Sequence, residues 1–91
     1  MATDPRLLAK DIITAVIKKG SNKDGANEEW RKKSALFHLG KGLEHALRHQ
    51  NIVTGIRPPE SENHLELALT RFAMALVVTK DTKEGADKWG S

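Results

Sequence analysis

The chain has 91 residues, a net charge of +3, no cysteine and only four aromatic residues. This composition excludes disulfides, a thiolate zinc site and a thiol nucleophile, and it leaves too few aromatic side chains for a base-stacking nucleic-acid platform. We expect one small domain. Because a core of this size is marginal, we also expect self-association.

The charge is distributed unevenly. Residues 1–57 carry eleven Lys or Arg against six Asp or Glu, whereas residues 58–91 carry four against six. The basic half favours phosphate binding, but the interspersed acids make nucleic acid the least favoured partner. We find no signal-peptide pattern and no run of about eighteen apolar residues, so we expect no membrane contact and a cytoplasmic protein, in the host cell if a phage encodes it.

The first predicted helix covers residues 5–19. Asp4 is a good N-cap, and Pro5 suits the first helical position, where its missing N–H leaves no bond unmade. Gly20 is expected to end the helix, and the turn-forming residues that follow predict a loop over residues 21–26.

The second predicted helix covers residues 27–53, with Asn27 as its expected N-cap. About 100° of turn per residue places His38, His45 and His49 within roughly 40° of one another. The leucines of the helix fall within roughly 80° on the opposite side; they are Leu36, Leu39, Leu43 and Leu47. We therefore expect the leucines to face the core and the histidines to point away from it.

Two glycines interrupt this helix, and each costs about 1 kcal/mol relative to alanine. We expect Gly40 to admit a neighbouring helix, while Gly42 lies on the histidine side. The histidine stripe itself predicts an oligomer contact, a site or a solvated polar face. His38 is expected at the surface or in an interface, and His45 is open between a surface role and the site.

Pro58 and Pro59 forbid a continuing helix, which predicts a turn over residues 54–60. The third predicted helix covers residues 62–79, with Ser61 as N-cap. Its apolar residues lie on two faces, which indicates burial on two sides, either by another subunit or by a central position in the monomer.

The predicted fold class is all-α. It has three helices, an antiparallel helical hairpin around Pro58-Pro59 and an oligomeric assembly. Residues 1–80 form the single domain, and residues 81–91 form a polar, flexible tail that contains Trp89.

The candidate site lies where the second and third helices meet at the proline turn. The sequence contains neither a glycine-rich phosphate loop nor H-E-x-x-H. His45 and His49, four residues apart, could share a metal ion, but a zinc site would need His64 or a carboxylate as well. Lys41 and Arg48 lie beside them, and their charge favours a phosphate over a metal cation.

The start of the third helix adds further candidates. Arg57, Glu60 and Glu62 surround it together with His64, and free N–H groups at a helix start can bind an anion. His64 shares a face with Arg71, and the hairpin is expected to bring His64 close to His49. The alternative is that the two glutamates only stabilise the helix start.

The order of these motifs resembles a known family. Trp30-Arg31-Lys32, Leu47-Arg48-His49, a glycine, Pro59-Glu60-Ser61 and His64-Leu65 are followed by an alanine- and leucine-rich helix. Over about residues 26–79 this is similar to the N-terminal domain of phage dATP/dGTP diphosphohydrolases, whose pattern is N-W-R-K-G, R-H, D-P-E-S-G and H-L. The resemblance implies a purine nucleotide as ligand.

The chain departs from the pattern of this family: Glu29 replaces the Asn before the Trp, Pro58 replaces the Asp, and Glu62 replaces the Gly after P-E-S. It also lacks the paired carboxylates that would hold magnesium for phosphoanhydride hydrolysis, so nucleotide binding is better supported than turnover. A shorter stretch, Pro58-Pro59-x-Ser61 followed by Leu67-Ala68-Leu69-Thr70-Arg71, is similar to phage anti-defence sponges, which sequester cyclic nucleotides between subunits without catalysis.

The leading hypothesis is a small, oligomeric, phage-type protein that binds a purine nucleotide. If it is an enzyme, it hydrolyses that nucleotide. The predicted catalytic residues are His49, His64 and Glu60. The predicted phosphate ligands are Arg48, His45, Lys41, Arg57 and Arg71. No metal is assigned, although magnesium would be expected for an enzyme. The alternative is a non-catalytic interaction protein, either a cyclic-nucleotide sponge or an inhibitor of a host protein.

Overall fold

The computed structural model describes residues 3–24 and 29–82, and this part of the chain forms helices and no strand. Helix α1 spans Pro5–Asp24, a 3-10 turn spans Glu29–Lys32, α2 spans Ala35–Val53 and α3 spans His64–Thr82. The all-α class is therefore confirmed. None of the described helices is both long enough and apolar enough to cross a membrane.

Helix α3 is the central element. It packs against α2 along an extensive contact and against α1 along a smaller one. Side-chain pairs between His38 and Arg71 and between His45 and His64 show that α2 and α3 run antiparallel, which confirms the hairpin. The central position accounts for one of the two apolar faces of α3, since Met74 and Val78 are buried, whereas Leu65, Phe72 and Leu76 of the other face stay exposed.

Helix α1 begins as predicted, because Asp4 Oδ1 accepts a hydrogen bond from the backbone N of Arg6 at 2.9 Å. The predicted end at Gly20 is wrong, since the helix continues to Asp24. A glycine inside a helix costs only about 1 kcal/mol, and that is not enough to end a helix that the neighbouring residues continue.

Helix α2 begins eight residues later than the predicted start at residue 27. Ser34 has an extended backbone (φ −69°, ψ 157°), and its Oγ accepts a hydrogen bond from the Phe37 N–H at 3.0 Å. Such an N-cap satisfies one of the free amides of the first turn. The chain before it forms the 3-10 turn instead, and the predicted cap Asn27 lies outside the described residues.

The connection between α2 and α3 is a tight reversal. Gly55 has a positive φ of 84°, a conformation that favours glycine, and the Asn51 carbonyl accepts the backbone N–H groups of Ile56 and Arg57 at 2.8 and 3.1 Å. Helix α3 then begins at His64, two residues later than predicted. Its cap is Asn63, whose Oδ1 accepts the Glu66 N–H at 3.1 Å, rather than Ser61.

Helix α3 also continues past its predicted end to Thr82. Asp81, assigned to the tail from the sequence, therefore lies in the last turn of the helix and pairs with Arg31 at 3.3 Å. The rest of the predicted tail, including Trp89, lies outside the described residues.

The two faces of α2 are reversed relative to the prediction. His38 is fully buried and His45 and His49 are half-buried, whereas the four leucines are 40–72% exposed. The histidines face inward because α3 and the 3-10 turn offer them hydrogen-bond partners. Both ring nitrogens of buried His38, for example, have a partner. The expectation that His38 is a surface residue is therefore wrong.

The glycines of α2 follow the same reversal. A Cβ on Gly42 would lie 2.5 Å from Cε1 of Phe72 on α3, so glycine is required for this approach of the two helices. Gly40, which the sequence suggested for that role, has no atom within 4 Å of such a Cβ in this chain.

Replacing the cap of α3 tests the observed helix start. Asn63→Ala is expected to lower the free energy of unfolding by about 1 kcal/mol, because the Glu66 amide loses its partner. Ser61→Ala is the matched control and is expected to change it by less than about 0.5 kcal/mol, as for an ordinary surface position. Urea unfolding followed by circular dichroism measures both. Equal losses would contradict the assignment of Asn63 as the cap.

Candidate functional site

Three side chains form a continuous hydrogen-bonded chain where α2 meets the start of α3. Nδ1 of His45 lies 2.9 Å from Nδ1 of His64, and the two rings are stacked with an interplanar angle of 23°. Nε2 of His64 lies 3.0 Å from Oε1 of Glu60. His64 is buried, Glu60 is exposed and His45 is half-buried, so this chain leads from the surface through the interior.

The direction of the protons in this chain follows from the carboxylate. The pKa of Glu60 is lowered, first by its hydrogen bond with His64, so the carboxylate is ionised and can only accept. Nε2 of His64 must then donate, and in the neutral ring Nδ1 of His64 accepts from Nδ1–H of His45. The free ring nitrogen of His45, Nε2, is left unprotonated and can act as a base or accept a proton.

The environment of His45 keeps its imidazole neutral. Burial lowers its pKa most, a positive charge on His64 would lower it further, and the charges of Arg48 and Arg71 do so as well, while Glu62 acts in the opposite direction. Nε2 of His45 makes no hydrogen bond within the described part of the chain. A ligand group with negative charge would offset these effects and favour protonation.

Several cationic side chains lie on the elements that carry this position. Arg57 pairs with Oε2 of Glu60 at 3.3 Å, and Arg48 pairs with Glu44 at 3.5 Å. Lys41 lies one turn before His45 on α2, exposed, with its Nζ 5.8 Å from the Phe37 ring centre. Of the predicted phosphate ligands, Arg48 and Arg71 lie close enough to lower the pKa of His45 by their charge, and Arg57 is linked to it through Glu60 and His64.

The structure pairs His64 with His45, where the sequence suggested His49. The two observed pairs, 38 with 71 and 45 with 64, fix the register of the hairpin. In this register, residue 49 lies level with residue 60, which precedes α3. His49 is half-buried one turn further along α2, and its predicted catalytic role is neither supported nor tested by this contact.

Arg71, the fifth predicted phosphate ligand, belongs to a second histidine centre. Its Nη1 donates to Nδ1 of His38 at 3.1 Å, and Nε2–H of His38 donates to the Trp30 carbonyl at 2.7 Å. Both ring nitrogens of His38 are therefore occupied, and its tautomer is fixed. This centre connects the 3-10 turn, α2 and α3 and has a structural role. The helix break that places the Trp30 carbonyl there was not predicted from the sequence; Ser34, a residue type favoured at helix starts, is the signal that could have indicated it.

One group of residues in the described part of the chain could hold a metal ion. Ligand atoms of Glu60, Glu62 and His64 all lie within 4.8 Å of one another. Two carboxylates and one imidazole would supply three ligands and leave positions open for water or a phosphate oxygen. Nε2 of His64 would then have to exchange its proton for the ion.

No family model, no curated protein and no solved structure matches this chain. The similarity to the phage diphosphohydrolase family therefore remains a prediction from the motifs. Of the residues that carry this similarity, Glu60 and His64 belong to the hydrogen-bonded chain described above, and Arg48 lies close to it.

The lowered pKa of His45 predicts how stability depends on pH. The unfolded chain takes up a proton on this side chain at a higher pH than the folded chain, so the free energy of unfolding should decrease as the pH falls from 7 through about 6.5. His45→Gln is expected to reduce this decrease. Urea unfolding at a series of pH values measures it.

The matched control is His49→Gln, which removes a histidine one turn further along the same face. It is expected to retain the decrease. A wild-type profile that is flat between pH 7 and 5.5, or one that both variants change equally, would contradict the neutral state assigned to His45.

Proposed function

We propose that this chain binds the phosphate groups of a purine nucleotide at His45 and the cations around it. The observation that carries the proposal is the hydrogen-bonded chain from His45 through His64 to Glu60. The imidazole of His45 is neutral without ligand. Once it is protonated, His64 and Glu60 can stabilise its positive charge.

Protonation at Nε2 of His45 produces an imidazolium that donates to a phosphate oxygen. The proton shared between the two Nδ1 atoms can move toward His64, so the positive charge is spread over both rings and opposed by the Glu60 carboxylate. A phosphate thus favours the form of the site that binds it, and binding should strengthen as the pH falls from 7.5 to 6.

The nearby arginines can join the phosphate at small cost. Arg48 is paired with Glu44 and Arg57 with Glu60, and all four side chains are between about a third and a half exposed. Exposed ion pairs of this kind contribute about 0–1 kcal/mol, so a charge-assisted bond to phosphate can replace them. Lys41, one turn before His45, adds a third positive charge.

The sequence motifs support the same place. R-H, P-E-S and H-L, on which the similarity to phage dATP/dGTP diphosphohydrolases depends, contribute Arg48, Glu60 and His64 to it. A phage-type protein and the purine base are proposed on this similarity alone. We also propose a homo-oligomer as the working form, because no leucine, isoleucine or phenylalanine is fully buried in the described part of one chain.

A second candidate function is sequestration of a nucleotide without turnover. Both carboxylate oxygens of Glu60 are engaged, Oε1 by His64 and Oε2 by Arg57. When Arg57 turns to a phosphate, Oε1 stays engaged by His64, and the lowered pKa makes this carboxylate a weak base toward water. This favours binding over hydrolysis. Cyclic nucleotides belong among the ligands to be tested for this reason.

Thermal unfolding with added ligand tests the proposal. A ligand at 100 times its Kd stabilises the folded state by about 2.7 kcal/mol, which corresponds to about ten degrees or more in Tm for a domain of this size. We expect such a shift with dATP or dGTP, with and without Mg²⁺, and a smaller one with inorganic phosphate. Release of pyrophosphate in the same samples reports turnover.

Variants separate the site from general positive charge. Arg48→Gln and His45→Gln are expected to lose most of the nucleotide-dependent shift. Arg6→Gln removes an exposed arginine on α1, which pairs only with Asp4 in the described structure, and is expected to retain it. If nucleotides produce no shift, or if all three variants lose it equally, the proposed site is wrong.

A further inference from the structure

Ten large apolar side chains of the α2–α3 hairpin are exposed, and seven of them lie on one side of it. Those on α2 are 40–72% exposed and those on α3 are 36–54% exposed. We refer to this set as the leucine surface; it consists of Leu36, Leu39, Leu43 and Leu47 on α2 and Leu65, Phe72 and Leu76 on α3. In an amphipathic helix, residues at this spacing belong to the face that packs against another element.

The two halves of the leucine surface are continuous. On α3 the three residues fall within roughly 40° of one another, and on α2 the four leucines fall within roughly 80°. Phe72 crosses Gly42 so closely that a Cβ there would lie 2.5 Å from its ring, and Leu39 is the leucine of α2 nearest to this crossing in helical angle. Both helices therefore present apolar side chains on the same side of the hairpin.

The size of the leucine surface is that of an interface. The exposed fractions amount to about three and a half whole side chains, or roughly 350 Å² of apolar area at roughly 100 Å² each. A standard interface buries about 800 Å² per partner, of which about 500 Å² is apolar in a homodimer. These seven residues alone supply about two thirds of that apolar area.

The composition of this surface and of the core indicates which partner covers it. The hydrophobic residues buried in the described part of the chain are few and of small or medium size; they are Ala35, Ala68, Met74 and Val78. The largest fully buried side chains are His38, His64 and Thr70. One chain thus holds its larger apolar residues outside its own core, and a second chain with the same surface would complete that core.

The charge distribution agrees with a second copy. A symmetric dimer places the same patch on both partners, so a charge inside the patch would be buried twice against apolar side chains, which is costly. Neither arc of the leucine surface contains a charged residue; Gln50 is the one other residue inside the arc of α2. Gly40 lies beside that arc with open space around it, where a second helix can approach closely.

We propose that two copies of this chain pair through the leucine surface, so that two α2–α3 hairpins form a four-helix arrangement with α1 outside it. This inference extends the proposed homo-oligomer and is independent of the phosphate site. The histidine centres lie on the opposite face of α2 and remain within each copy.

Sedimentation velocity of the full chain between 1 and 100 µM tests the pairing. We expect twice the mass of one chain and a Tm that rises with protein concentration. The double variant Leu43→Ala and Leu47→Ala is expected to raise the dissociation constant of the dimer at least tenfold. Alanine preserves helix propensity, and these side chains are more than half exposed in one chain, so the helices should remain.

The matched control is Leu7→Ala, because Leu7 is 63% exposed on α1, outside the leucine surface. It is expected to leave the dissociation constant within twofold. A wild-type monomer at 100 µM overturns the pairing, and so does a dimer that the double variant leaves unchanged or that Leu7→Ala weakens equally. If the double variant loses its helices, pairing is retained only if the wild-type Tm depends on concentration. A monomer that still binds nucleotide would overturn the dimer and leave the phosphate site in place.

Discussion

The requirement that a buried imidazole satisfy both of its ring nitrogens holds this hairpin together. His38 and His64 are among the most deeply buried side chains of the chain, and each lies between a partner on α2 or α3 and a carbonyl or carboxylate from the segment before a helix. Leaving either nitrogen unmatched would cost about 1–3 kcal/mol. The 3-10 turn before α2 and the turn before α3 thus stabilise the packing of the helices, because they supply the carbonyl and the carboxylate that these imidazoles need.

The same requirement connects structure to chemistry. At His38 the two partners are an arginine N–H and a backbone carbonyl, so the ring is fixed in one tautomer and has no free position. At His64 the partners are a second imidazole and a carboxylate, so protons can be exchanged along the chain. Buried His38 therefore forms a structural centre and buried His64 belongs to the candidate site, because their hydrogen-bond partners differ.

The sequence was sufficient for the parts of the fold that depend on local chemistry. Asp4-Pro5 marked the start of α1, and Pro58-Pro59 marked the turn of the hairpin, because capping and the loss of an N–H act within a few residues. It was not sufficient to say which face of α2 is buried. Leucine is the more apolar residue, but Gly42, Arg71 and the Trp30 carbonyl together make the histidine face the one that fits α3. The site was found in part for the same reason: Glu60, His64 and Arg48 were identified by motif, while the pairing of His64 with His45 needed the register.

That register has a consequence for how reliably the hairpin assembles. Apolar contacts are non-directional and do not depend on one particular partner atom. The two histidine pairs, in contrast, lie seven residues apart on α2, about 10.5 Å, and must form together. A shift of a single residue would break both pairs at once and leave two imidazoles without partners in the interior. The two histidine pairs therefore specify the register, because both can form in only one arrangement of the helices.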